Sequence, residues 1–364
     1  MPESRKLKRI LIINIFGIGD VLFTTPLISN LKEHFPDIFI GYVCNKRALS
    51  ILQNNPKIDK LFVYERDEFH EIYKKSKVQF LKKMRQMLAD IKNENFDCVM
   101  DLSLNFWTGF LMWLIGIRKR VGFNYKNRNP FLNRKIHLKG FEKQHVIEYY
   151  LSLLEPLKVP ILRNKLEVFP QKEDKKWAED LLTTYNIKKD DFLIAIIPGG
   201  GASWGKDAQY KQWSMSKFAE LGDQCVKEFS AKIILMGSQE EERLCRFVAD
   251  NMHHEAIQCA GKATIPQTLA LLAKCCLAIV NDGGPLHMAV AMKVPTVSIF
   301  GPVDERVYGP YPKDNHVVVT HPIACHPCYR RFRMASCAHH NCLNRLSVED
   351  VMKGVQEAYE STIR

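Results

Sequence analysis

Three glycine-bearing turns hold the residues best suited to chemistry. In Phe16-Gly17-Ile18-Gly19-Asp20 a carboxylate stands beside two glycines that let another molecule approach the backbone. A dinucleotide fingerprint needs a further glycine at position 22, which is Leu22, and a Gly-Lys-Ser/Thr phosphate loop is also missing. Asp20 can be read as a helix cap or as a base for proton transfer. In Asn281–His287 (NDGGPLH) two glycines expose successive N–H groups, and Pro285 suits a first helical turn. The positive end of such a helix would hold a phosphate, or Asp282 would simply cap the turn. Pro198–Trp213 (PGGGASWGKDAQYKQW) contains four glycines with Ser203, Lys206 and Lys211. Either lysine could neutralise phosphate, and position alone does not choose between them.

A fourth group is cysteine-rich. Cys325, Cys328, Cys337 and Cys342 form a C-x2-C-x8-C-x4-C pattern with His339 and His340 nearby, and four thiolates could bind structural zinc or an iron–sulfur cluster. The alternative is a compact loop of reduced thiols. The total of eleven cysteines is odd and most lie in apolar segments, which suits a reducing compartment.

Such turns need strands before them and helices after them. Arg9–Ile15 reads as a buried strand, followed by a helix over Val21–His34; Phe39–Cys44, Lys60–Tyr64 and Cys98–Leu102 read as further strands. The apolar stretch Ser103–Ile117 is fifteen residues, short of the roughly 20 that span a bilayer, and is expected to be a buried helix. A short run at Arg120–Phe123 follows, and then the pattern restarts. Phe192–Ile197, Lys232–Met236, Ala256–Cys259, Leu277–Val280 and Thr296–Phe300 alternate with helices over Ser214–Phe229, Glu240–Asn251, Ile265–Lys274 and Pro285–Ala291. Strands alternating with helices predict an α/β fold of two consecutive doubly wound domains, with ligands at the carboxyl ends of the strands.

With 364 residues, 46% hydrophobic and 25% charged, the chain excludes disordered, collagenous and repeat-dominated classes and suits two domains. No secretory signal opens it, and a cytoplasmic protein is expected. The net charge of +12 is uneven: residues 1–165 hold 29 Lys/Arg against 16 Asp/Glu, and residues 166–364 hold 23 against 24. The first half should therefore attract a polyanion, whether nucleic acid, an anionic membrane or a phosphorylated substrate.

Together, Ile10–Pro26 (ILIINIFGIGDVLFTTP), Pro198-Gly199-Gly200 with Lys211-Gln212-Trp213-Ser214, Gly237-Ser238-x-Glu-Glu, Asn281–Met288 and Pro295–Pro302 resemble the family-nine glycosyltransferases, the bacterial heptosyltransferases of lipopolysaccharide cores. The likeness spans nearly the whole chain. It implies a GT-B architecture, two Rossmann-like doubly wound domains facing a cleft: residues 1–165 for the acceptor, 166–346 for the nucleotide sugar with the Cys-rich loop 325–342, and 347–364 as a terminal helix crossing back to the first domain. It implies Asp20 as catalytic base, with Gly17, Gly19, Thr24 and Thr25 on the acceptor side. On the donor side it implies Gly199, Gly200, Ser203, Lys211, Glu241, Asp282, Gly283, Gly284 and His287. Two departures stand out: Asn14, Phe16 and Gly17 occupy a region where many members have a basic residue and serines, and Gly283 replaces a common Ser/Thr.

The expected activity is inverting transfer of a sugar, a heptose from an ADP-linked donor, to an anionic cell-envelope glycolipid or core oligosaccharide. No cofactor is required for catalysis, and the expected partners are the donor, the acceptor and the inner membrane surface, with no nucleic acid. The alternatives are a GT-B enzyme using another nucleotide sugar, including an epimerase, and a non-catalytic nucleotide-sugar or polyanion-binding module.

Overall fold

A computed structural model describes residues 7–200 and 202–363, without the side chains of residues 202–204, 206, 362 and 363. The chain forms two compact units, residues up to 141 with 146–166, and residues 142–145 with those from 167 onward.

The first unit is built on six parallel strands: β1 (Arg9–Ile13), β2 (Phe39–Cys44), β3 (Lys60–Val63), β4 (Cys98–Asp101), β5 (Lys119–Tyr125) and β6 (Arg134–Leu138). Their order is β3-β2-β1-β4-β5-β6. The central β1 reads Arg-Ile-Leu-Ile-Ile and is buried beyond its first residue, as expected where helices cover both faces of a parallel sheet. Its last residue, Ile13, pairs with Val43 of β2 and with Asp101 of β4. Strand order reverses at β1 and β4, where an open α/β sheet presents its ligand crevice. The expected helix over Val21–His34 is instead two helices, Ile18–Leu22 and Thr25–His34.

The second unit repeats this plan with β7 (Leu193–Ile197), β8 (Lys232–Leu235), β9 (Ala256–Gln258), β10 (Leu277–Asn281), β11 (Thr296–Phe300) and β12 (His316–Thr320). Its order is β12-β11-β10-β7-β8-β9, so β7 and β10 hold the positions of β1 and β4. Trp213, Phe218, Ile196 and Ile279 share one core with Val351, Val355 and Ala358 of the terminal helix Val348–Ile363. That helix was expected to cross back to the first domain. It packs on β10, β11, β12 and the helix Met215–Phe229, where its apolar stripe completes the second core.

The helix Phe106–Leu114, expected to be buried, is not. Only Gly109 and Met112 are inside, while Phe106, Trp107, Trp113 and Leu114 are exposed. The stretch is apolar on every side and nine residues long, so the sheet can cover only part of it. Among the described residues no helix is long and apolar enough to cross a membrane.

Candidate active site

In the first unit, Asp20 follows β1. The helix Ile18–Leu22 begins after Gly17, which makes no side-chain capping bond, and Asp20 lies inside its first turn. The carboxylate is therefore not the cap. It is half-buried, and the Tyr150 hydroxyl donates to its Oδ1 at 3.4 Å. The turn is held by Asn14, which accepts the Phe16 amide at 3.1 Å and donates to the Asp20 carbonyl at 3.0 Å. Asn45 ties the same turn by donating to the Ile15 carbonyl at 3.2 Å. Gly17 and Gly19 are half-buried, and their carbonyls accept the amides of Val21 and Phe23 at 3.1 and 3.0 Å.

Thr24 and Thr25, expected on the acceptor side, lie inside the unit. The Thr24 hydroxyl donates to the Val21 carbonyl at 2.6 Å and accepts from Tyr42 at 2.8 Å; Thr25 donates to the Leu22 carbonyl at 2.7 Å. Both are buried, so their hydroxyls join the two helices and shape the acidic turn. Burial also pushes the Tyr42 phenol well above its ordinary range, leaving it a neutral donor.

Asp101, at the end of β4, carried no expectation. It is buried, accepting the Ser103 amide at 2.9 Å and the Ser103 hydroxyl at 2.6 Å on Oδ1, while its Oδ2 has no hydrogen-bond partner among the described residues. Burial pushes its carboxyl up to about 6 against those two hydrogen bonds.

The second unit brings most of the donor-side residues together around Asn281. This buried side chain ends β10, donates to the Pro198 carbonyl at 2.5 Å and accepts the Trp213 amide at 3.2 Å, joining three segments. Next to it, Lys211 Nζ lies 2.8 Å from Asp282 Oδ2, and both side chains are about nine-tenths buried or more. Burial raises the Asp282 carboxyl above its ordinary range and the Lys211 ammonium opposes the rise. Asp282 is not a cap either, since the helix Gly284–Ala291 starts after Gly283. His287, on that helix, is buried and held neutral, well below its ordinary value, by burial and by the nearby His145 and Lys211.

Backbone fit accounts for the glycines. A Cβ at Gly283 would run into the Gly200 carbonyl, so the Ser/Thr common at this place has no room here. Gly200 itself has φ +81°, the left-handed region that favours glycine. A Cβ at Gly199 would strike the Glu241 carboxylate. Glu241, expected near a donor ribose, is buried in a capping box, where Oε2 accepts the Ser238 amide at 2.9 Å. Its carboxylate thus also supports the Gly199 loop. The side chains of Ser203 and Lys206 lie outside the described residues.

His145 was missed. It is buried in the second unit, its Nε2 donates to the Gly309 carbonyl at 3.0 Å, its ring stacks on Tyr311 at 4.7 Å, and burial lowers it to about 4.

The expected metal group is not supported. Among the described residues no three His, Cys, Asp or Glu side chains are placed to hold a metal ion. Cys328 donates to the Cys325 carbonyl at 3.2 Å, Cys337 accepts the His340 amide at 3.4 Å, and Cys342 packs into the core. Burial and the neighbouring thiols of Cys325, Cys342 and Cys337 push Cys328 up to about 11.

Comparison with known proteins gives the family and the fold. The model of glycosyltransferase family 9 (heptosyltransferase) matches residues 84–339. Lipopolysaccharide heptosyltransferase 3 of Escherichia coli K12 is 26% identical over 297 residues, 80% of this chain and 82% of that protein. Lipooligosaccharide heptosyltransferase 2 of Campylobacter jejuni is 25% identical over 348 residues, 92% and 93% of the two chains. Among solved structures, a family 9 glycosyl transferase from Veillonella parvula superposes with a TM-score of 0.80 at 23% identity, covering 96% of this chain and 97% of its own. Escherichia coli heptosyltransferase WaaC with ADP-2-deoxy-2-fluoro heptose superposes with a TM-score of 0.70 at 19% identity, covering 96% and 99%. The two doubly wound sheets are those of the GT-B class. The chain belongs to glycosyltransferase family 9, the heptosyltransferase family, and is a glycosyltransferase.

Proposed function

We propose that the protein transfers a heptosyl group, with inversion, from ADP-heptose to the core of a lipopolysaccharide or a related anionic glycolipid at the inner membrane surface. The names of its relatives support the sugar and the acceptor, and the donor analogue in the Escherichia coli structure supports the nucleotide. The observation that carries the reading is the buried Lys211–Asp282 pair beside the start of the Gly284–Ala291 helix. A departing diphosphate needs a cation and N–H donors already in place, since groups fixed before the reaction cost no reorganisation during it.

In this reading Asp20 takes the proton of the acceptor hydroxyl as that oxygen attacks the anomeric carbon. The bond from that carbon to the diphosphate breaks on the opposite face, and ADP leaves with the electron pair. Lys211 and the amides of Gly283 and Gly284 take up the charge that develops. Tyr150 orients the Asp20 carboxylate from the side.

The test supplies ADP-heptose and other nucleotide sugars with a core oligosaccharide and follows nucleotide release and product mass. Product should form with ADP-heptose. Turnover confined to another nucleotide sugar would overturn the donor.

A further inference from the structure

We propose that the helix Phe106–Leu114 is a membrane-docking element, whose exposed aromatic face enters the interface of an anionic bilayer while the Lys and Arg of the flanking chain meet the lipid headgroups. The proposal rests on the acceptor being a glycolipid, and it names the surface by which the first unit reaches it.

Four observations carry it. First, the exposure is large and contiguous: Trp107 is 63% exposed, Trp113 49% and Leu114 59%, all on one nine-residue helix. An apolar patch of this kind marks an interaction surface. Second, the patch is organised. Phe131 lies against Phe106, Phe110 and Trp113 with ring centroids 5.3, 5.1 and 5.4 Å away, and Phe106 stacks on Phe110. Third, the patch is anchored from below. Met112 is inserted into the core against β1 and β4, and Arg120 donates to the Phe131 carbonyl at 2.6 Å and the Ile117 carbonyl at 2.5 Å. Fourth, the surrounding chain has one sign of charge. Residues 102–141 hold eight Lys and Arg and no Asp or Glu, and Arg118, Lys126, Arg128, Arg134 and Lys135 are exposed.

The combination selects the occupant. Tryptophan prefers the boundary between headgroups and acyl chains, and a flanking chain segment with eight Lys and Arg and no acidic residue is complementary to anionic lipid. A second copy of this chain would bring the same positive charge to the contact.

The experiment uses the full chain and two kinds of vesicle, phosphatidylcholine alone and phosphatidylcholine with 30% phosphatidylglycerol. Co-sedimentation is compared for the wild type, Trp107→Ser/Trp113→Ser and Arg118→Glu/Arg128→Glu. The wild type should bind the anionic vesicles at least tenfold better than the neutral ones. Each double variant should lose about tenfold or more of that binding, and should keep wild-type transfer to a delipidated, soluble core oligosaccharide. Residual binding at 1 M salt should be found in the Arg variant and the wild type but not in the Trp variant, because salt screens charge and leaves insertion intact. Unchanged vesicle binding by the Trp variant overturns the proposal, as does a wild type that binds neither vesicle. A Trp variant that only dissociates a dimer would assign the patch to a second copy, and one that only loses binding to a single-stranded oligonucleotide would assign it to nucleic acid; either overturns it. Vesicle binding needs neither donor nor acceptor and soluble transfer needs no membrane, so failure here is separable from failure of the proposed reaction.

Discussion

The two sheets share one strand order, yet the acids at their carboxyl ends are treated differently. Asp101 ends β4 and Asp282 follows β10, the strand in the same topological place. Both are buried and both carboxyls are pushed upward. Asp282 has the Lys211 ammonium at 2.8 Å, whereas among the described residues Asp101 has the amide and hydroxyl of Ser103 alone. Asp20, after β1, is half-buried with one tyrosine hydroxyl beside it. An acid that must exchange a proton with a substrate needs access, and one that positions a cation needs enclosure. The same topology therefore supplies an open carboxylate in the first unit and an enclosed ion pair in the second, while Asp101 is enclosed with no cation beside it among the described residues.

The sharpest way to break this contrast is at Asp20. Asp20→Asn should lower kcat by about 10²–10⁴-fold, the usual loss on removing a general base, and leave donor affinity close to wild type. Steady-state rates with saturating acceptor, together with ADP-heptose titration, separate the two quantities. Near-normal turnover would place the base elsewhere.

The enclosed pair makes the opposite prediction, a stability effect joined to a donor effect. Lys211→Ala leaves Asp282 buried without its cation, and breaking a buried pair costs about 3–5 kcal/mol. Lys211→Met/Asp282→Asn should recover most of that stability without recovering donor binding. Denaturant unfolding and ADP titration on both variants test this, and a double variant as unstable as Lys211→Ala would mean that the pair is not what holds the turn. Gly283→Ala should cost less, about 1–3 kcal/mol, since its Cβ forces the Gly200 carbonyl aside. A wild-type melting temperature would show that the two turns do not interlock.

The central strands were legible because a parallel strand covered on both faces leaves a continuous apolar run, as in Arg9–Ile15 and Phe192–Ile197. Two of the four edge strands, β6 (Arg-Lys-Ile-His-Leu) and β12 (His-Val-Val-Val-Thr), were not read, although the edges β3 and β9, no better buried, were. The three turns were found, but not their internal roles. Whether Asp20 caps a helix depends on that helix starting at Ile18, a shift of a few residues that local propensity does not resolve. Asn281 stood inside a quoted turn, and its part in joining Pro198 to Trp213 comes only from packing. The helix Phe106–Leu114 misled for a different reason: a stretch apolar on all sides has no periodicity to show which side faces out. Nothing adjacent to Asp101 marked it, because its burial is imposed by the neighbouring strands.

Asp101 offers the finest test of the contrast between acids. Its folded pKa of about 6 lies above the ordinary value of an unfolded aspartate, so the native state binds this proton more tightly than the unfolded chain does. The stabilising contribution is complete below about pH 4 and is lost as pH rises through about 6. Above that range the chain must accommodate a buried carboxylate with no cation beside it. Asp101→Asn keeps an acceptor for Ser103 and replaces the ionising oxygen with a neutral amide. The variant should therefore match or fall slightly below the wild type at pH 4 and exceed it by about 1–2 kcal/mol at pH 8, somewhat less than the full linkage of about 1.4 kcal/mol per pH unit, because the new amide is itself buried. Urea unfolding at pH 4, 6 and 8 measures the difference. A gap that stays constant across the three pH values would show that Asp101 does not titrate in this range, and that it resembles Asp282 in having a compensating partner.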